Sequence, residues 1–323
     1  MGWRSRLCVT RSFSNEAQWG VTCGWNESYR RLVGEYRVRG LLVDRNGLGL
    51  LVARGTEPAM THRIGGDLNL TSLRIQLAGR VTVASAHTVV DERLLCGRQA
   101  RLIFALLVIE RDRAVHREEL AEALWPHELP RTWDAALRGV VSKVRAFVTA
   151  AGLSDNAAPS GGCGSYQLHL PPEVMVDVEF ARSAVESAEQ ALREGYPARA
   201  IALAEHARAI AVRPFLPDAK GRWVDGVRDR LREVLLWALC VLSDGYAQRG
   251  RYQLAVRTAE DAIELEPFRE RMHQLLMRVH VAAGNPAEAL RAYDRCRRLL
   301  AEELGVYPAA ETAALHLALL RNE

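Results

Sequence analysis

The residues best placed to do chemistry lie between Arg131 and Val148, where Arg138, Lys143 and Arg145 supply cations and Ser142 a hydroxyl. Cations and hydroxyls this close together donate to phosphate oxygens, and a lysine also reaches the O6 and N7 acceptors of guanine. The chemistry they suggest is recognition of duplex DNA, not bond making. Taken alone, the same residues are equally those of an ordinary amphipathic helix with a solvated basic face.

Other chemistries lack their residues. The sequence contains no Gly-x-Ser-x-Gly elbow, no His-Glu-x-x-His and no Gly-x-x-x-x-Gly-Lys phosphate loop, so an enzyme is not expected and no cofactor is implied. Gly47-Leu48-Gly49 lacks the third glycine of a nucleotide-binding turn. The six cysteines, Cys8, Cys23, Cys96, Cys163, Cys240 and Cys296, are scattered without a Cys-x-x-Cys pair, as isolated thiols in a cytoplasmic protein would be. His273, His280 and His316 have no accompanying carboxylate or cysteine pattern, so no metal site is expected. The longest apolar runs, Leu102 to Ile109 and Val234 to Leu242, are under half of the roughly 20 residues a bilayer demands, and no signal-peptide core follows Met1. A net charge of +4 over 323 residues is mild, so any nucleic-acid surface must come from local clustering.

The elements that would position the cations follow from periodicity. Leu137, Val140, Val141, Val144, Phe147 and Val148 recur at helical spacing over residues 131–148. The opposite side has small residues at its centre, Ala135, Gly139, Ser142 and Ala146, between Arg138 and Arg145 on one flank and Lys143 on the other. Small residues let a helix approach a groove closely. Upstream, Leu73, Ile75 and Leu77, then Val81 and Val83 across the Gly79-Arg80 turn, alternate as in a half-buried antiparallel sheet. One helix begins at Gly97 and ends in the charged turn at Glu110; a second runs from His116 to Trp125, where Pro126 stops it. Tyr166 to Leu170 and Val174 to Val178 predict a closing hairpin after a Gly-rich gap.

Sheet, three helices and hairpin is the order of a winged helix with an added N-terminal sheet. The motifs Arg98-Gln99-Ala100-Arg101-Leu102, Arg117 to Pro126, Ala136-Leu137-Arg138 with Val141 to Arg145, and Gly164 to Leu168 resemble the OmpR-type winged helix of the SARP family of antibiotic-pathway activators. The resemblance places Arg138, Gly139, Ser142, Lys143 and Arg145 at or near DNA, with Lys143 first as a base reader. Arg131 and Thr132 ahead of them and Tyr166 in the wing complete the expected DNA-binding set. Two departures stand out: His116 occupies a position where the family has a Ser or Thr cap, and the wing carries no arginine.

From Phe180 the chain is rich in helix formers. Gly195-Tyr196-Pro197, Gly250-Arg251-Tyr252 and Gly284-Asn285-Pro286 each precede an alanine at one fixed spacing, and the last two lie about 34 residues apart, the tetratricopeptide period. Pro214 and Pro267 interrupt the pairs, and the stretch from Pro214 to Trp223 is either a packed connector or functional. Glu288 to Pro308 resembles the bacterial transcriptional activator domain that follows the winged helix in SARP proteins. Arg295, Arg297 and Arg298 there are expected to pair with Glu302 and Glu303.

The expected organisation is therefore a mainly α protein: an N-terminal extension at 1–71, a winged helix-turn-helix with small β-sheets at 72–178, and an all-α tetratricopeptide-like domain at 179–323. An Asn-Gly hairpin near Asn46 and a translation start at Met60 are expected within the extension. The end at Glu323 fits the small members of the family, with no ATPase module and no receiver domain. The resemblance implies binding to promoter direct repeats as a homodimer, recruitment of RNA polymerase holoenzyme, control of a secondary-metabolite cluster, and a cytoplasmic, nucleoid-associated location without membrane contact. The competing reading is a tetratricopeptide adaptor with a winged-helix docking module.

Overall fold

The computed structural model describes residues 73–321 apart from 86–87, 96, 154–157 and 163. The hairpin expected near Asn46, the start at Met60, and Cys8, Cys23, Cys96 and Cys163 lie outside the described residues.

Strands β1 (Arg74–Gln76), β2 (Thr82–Ala84) and β3 (Val89–Asp91) form an antiparallel meander. Its register sets Ile75 opposite Val83 and Val83 opposite Val90, so one face of the sheet is apolar and buried. Helix α1 (Arg98–Ile109) is covered along most of its length, and the ring of Phe104 meets Phe147 edge-on at 5.1 Å. Strand β4 (Val115–His116) leads directly into α2 (Arg117–Leu124), and α3 (Trp133–Ala150) follows. Strands β5 (Ser160–Gly162) and β6 (Ser165–Gln167) complete a second sheet in the order β4-β6-β5.

The sequence predicts a hairpin between Tyr166–Leu170 and Val174–Val178, and the structure corrects it. Tyr166 pairs with Val115 and Gly161 instead. Strand β7 (Met175–Val176) runs parallel to β1, which would otherwise present an unpaired edge. Asp177 and Val178 are already helical, in α4 (Asp177–Arg193). The helix expected from Arg131 begins two residues later, at Trp133, and the one expected from His116 begins at Arg117.

The remaining helices are α5 (Pro197–Ala211), α6 (Arg222–Gln248), α7 (Tyr252–Leu265), α8 (Glu270–Ala282), α9 (Pro286–Leu304) and α10 (Ala310–Arg321). They form antiparallel pairs. Gly195, Gly250 and Gly284 stand just past the ends of α4, α6 and α8 with φ of 80°, 68° and 75°, where a side chain would be strained. Five residues beyond each glycine, Ala200, Ala255 and Ala289 are fully buried where the paired helices meet. The fold is thus mainly α, with small N-terminal sheets and a winged helix ahead of stacked helix pairs.

The two halves share one apolar core, which runs from Leu73 to Met272. The Asp177 carboxylate bridges them by accepting hydrogen bonds from the Leu77, Ala78 and Val178 amides at 2.8–3.0 Å. Burial lifts its pKa to about 6 against the pull of those amides. Arg111 makes a bidentate pair with Glu179, and the Trp223 indole N–H donates to Glu110 at 3.2 Å. Of the two readings of Pro214 to Trp223, the packed connector is the one observed. Phe215, Leu216 and Ala219 are buried, the Gly79 amide donates to Pro214 O, and Arg228 donates to the carbonyls of Phe215, Leu216 and Ala219.

Candidate nucleic-acid interface

Helix α3 buries Leu137, Val140, Val141, Val144, Phe147 and Val148 and exposes the opposite arc. At 3.6 residues per turn that arc runs from Arg145 and Arg138 through Ser142, Ala135, Ala146 and Gly139 to Lys143, all of them exposed. A β-carbon on Gly139 would have nothing within 4 Å, so this glycine answers no packing demand inside the chain. Its absent side chain leaves the centre of the exposed face flat between two cationic flanks.

The cations differ in their freedom. Among the described residues Lys143 and Arg131 have no ion-pair partner. Arg138, with its side chain 65% exposed, pairs with Asp134 one turn back at 3.0 Å. Arg145 turns the other way, its Nε donating to Pro159 O at 2.8 Å just before β5. It thus ties the wing sheet to α3. Tyr166 in β6 is half-buried and packs against the core. Thr132 is the residue before α3 and makes no side-chain capping bond, and neither does His116, which stands at the N-cap position of α2. His116 is held instead by the β4–β6 ladder.

One residue escaped the sequence reading. Arg117, first in α2, donates its amide to Gly164 O in the wing turn, and its guanidinium lies 5.9 Å from the Trp133 ring centroid. It pairs with Glu118 at 2.9 Å, holding that carboxyl below its ordinary range, and approaches Asp134 at 3.7 Å. Gly164, at φ 79°, turns the wing there in a conformation that a side chain would strain. The wing without an arginine of its own therefore has one at its base. The signal was a basic residue at the start of a helix, but the contact spans 47 positions and no local pattern announces it.

Elsewhere one expectation changes. Arg297 pairs backward with Asp294 at 3.7 Å and Arg298 donates to Asp294 O, so Glu302 and Glu303 are not their partners. An acid at i−3 meets the arginine before acids further along can. The three histidines are apart in role: His273 Nε2 meets Pro267 O, His280 is buried, and His316 stacks on Tyr293 at 3.8 Å.

Residues 176–320 match the family described as the bacterial transcriptional activator domain. The regulatory protein AfsR of Streptomyces griseus is 30% identical over 70% of this chain, and the transcriptional regulator RedD of Streptomyces coelicolor is 28% identical over 85% of it. The chain thus carries a bacterial transcriptional activator domain and is similar to regulators of the SARP type. It spans 22% of the length of that AfsR protein and 78% of RedD. Among solved structures, Mycobacterium tuberculosis EmbR, in a complex with a low-affinity phosphopeptide, superposes with a TM-score of 0.70 at 24% identity. The match covers 78% of this chain and 65% of EmbR, a likeness that bears on the fold alone. Among its described residues no helix is long and apolar enough to cross a membrane.

Proposed function

We propose that the protein is a sequence-specific DNA-binding transcriptional activator of a secondary-metabolite gene cluster, acting in the cytoplasm at promoter direct repeats. The observation that carries this is the exposed face of α3: a flat centre at Gly139, Ser142 and Ala146 between Arg138 and the unpaired Lys143. A helix with a low centre and cationic rims sits deep in a major groove while its rims reach base edges and phosphates. Lys143 reads a base, Arg138, Arg131 and Arg117 take phosphates, and Ser142, Gly139 and Thr132 allow close approach. Arg145 and Tyr166 enter the proposal as the residues that fix the wing against α3.

The winged helix occupies residues 72–178 and the helical activator domain 179–323 in this reading, and the latter recruits RNA polymerase holoenzyme. Two copies meet through α10, where Leu317 and Leu320 are 51% and 58% exposed. A second copy using the same face covers both leucines. A single helix face falls short of the roughly 1,200 Å² of a stable interface, so the pairing relies on two copies held together on DNA.

The test is fluorescence anisotropy of the full chain on DNA from upstream of the neighbouring genes, across a salt series. Arg138→Ala is expected to lower the slope of log K against log salt by about 0.9. Lys143→Ala relaxes discrimination between operator and scrambled DNA by about 1–3 kcal/mol. Parent-like binding by both variants would exclude α3 as the reading helix. Retention of polymerase without sequence-specific DNA binding would favour the adaptor reading.

A further inference from the structure

Among the described residues three glycines lie well inside helices: Gly139, Gly226 and Gly245. Glycine weakens a helix relative to alanine, so each invites a reason. For Gly245 the reason is packing, because a β-carbon there would stand 2.9 Å from Ile201 Cγ1 on α5. Gly139 faces outward on α3. Gly226 has no packing reason: the one atom near its missing β-carbon is Nη1 of Arg230, at 3.9 Å.

Gly226 lies on the wall of a cleft of about 1040 Å³ between the end of α2 and the start of α6. Arg222 and Arg230 stand one turn before and one turn after it on the same helix face. Arg230 folds back over the glycine toward Arg222, and Lys220 lines the cleft beside them. Among the described residues none of these three cations has an ion-pair partner. The neighbouring cations are engaged: Arg228 holds Asp225 and the connector carbonyls, and Arg232 holds Glu266 at 2.7 Å. On the acidic side Glu119 is paired with Arg113, while Glu122 and Asp229 have no ion-pair partner among the described residues.

We infer that this cleft binds a small phosphorylated molecule, with its phosphate groups held by Arg222, Arg230 and Lys220 against the bare helix surface at Gly226. Paired guanidinium forks match phosphate oxygens, and a missing side chain lets the anion approach the helix closely. The amino end of α6 adds favourable partial charge. Glu122 and Asp229 make the cleft mixed in sign, which suits a ligand with hydroxyl or amino donors beside its phosphates and disfavours a continuous polyanion such as DNA. Pro126 and His127 also line the cleft and belong to the connection between α2 and α3, so an occupant touches both halves of the molecule. The inference stands independently of the function proposed for α3.

The test uses the full chain with inorganic pyrophosphate as the probe, by calorimetric titration at constant ionic strength. Saturable binding is expected, weakened about tenfold or more in Arg222→Gln and in Arg230→Gln, and unchanged in the charge-matched control Arg257→Gln. Gly226→Ala separates a binding role from a structural one: it raises the melting temperature of the free protein and yet weakens pyrophosphate binding. Equal affinity in parent and Arg222→Gln/Arg230→Gln, or tighter binding of succinate than of pyrophosphate, overturns the inference. So does loss of affinity for promoter DNA in that double variant, which would assign the cations to nucleic acid.

Discussion

Asp134 is the carboxylate set among the cations of the proposed DNA face, 3.0 Å from Arg138 and 3.7 Å from Arg117. It either restrains those arginines from phosphate or aims them at it, and Asp134→Asn distinguishes the two. At 3.0 Å the Coulomb attraction to Arg138 in bulk water is about 1.4 kcal/mol, an upper bound for a pair so open to solvent. Exposed pairs of this kind are worth roughly 0.2–1 kcal/mol. Releasing Arg138 and removing a negative charge facing phosphate should therefore tighten DNA binding by about two- to fivefold at low salt. The gain should shrink as salt rises, because the interaction is screened. Asp134 also sits in the first turn of α3, where a negative charge stabilises a helix by about 0.3–1 kcal/mol, so the variant should melt slightly lower. Anisotropy titrations at several salt concentrations, with a thermal melt of the same preparation, read both effects. Weaker DNA binding in Asp134→Asn, in step with Arg138→Ala, would refute the restraint and show that the carboxylate aims the arginine.

Asp177 governs a pH dependence. Its folded pKa, about 6, lies above the roughly 3.9 of an unfolded aspartate. The folded state therefore holds the proton where the unfolded state has lost it, and stability falls as pH rises from about 4 to 6. The difference amounts to about 2–3 kcal/mol, and denaturant melts of parent and Asp177→Ala at pH 4.5 and 7 should show a slope in the parent that the variant lacks. Gly245→Ala should lower stability by about 1–3 kcal/mol despite the better helix propensity of alanine, because the new methyl meets Ile201. An unchanged melting temperature would mean that α5 and α6 give way there. Leu317→Glu with Leu320→Glu should leave binding to a single half-site unchanged and lower occupancy of paired sites. A titration on one- and two-site DNA checks this, and equal loss on both would exclude α10 as the contact between copies.

Much of the architecture was legible because its signals are local. The six apolar residues of α3 recur at one spacing, and all six are buried. Each Gly-to-Ala interval in the helical half states both where a helix ends and where the next packs. The wing was misread for the opposite reason: strands of two or three residues carry too little alternation to reveal a partner, and β7 chose the edge of β1 across a hundred positions. The site divides in the same way. The i, i+4 pair of Asp134 and Arg138 could be read from spacing, whereas Arg117 reaches the wing, and Arg145 turns to Pro159, through contacts that exist only once the chain has folded.

The shared core across the two halves bears on how the chain can be cut. A boundary drawn at 178 looks like a natural seam, yet it passes through α4 one residue after the aspartate that closes the end of β1. A winged helix excised there loses the helix that holds Asp177, the Phe215 bridge to Ala78 and the Glu179 partner of Arg111. The modules visible in the sequence share their core and their polar ties. Grafting the winged helix onto another helical domain should therefore require carrying α4 through the connector as part of the graft.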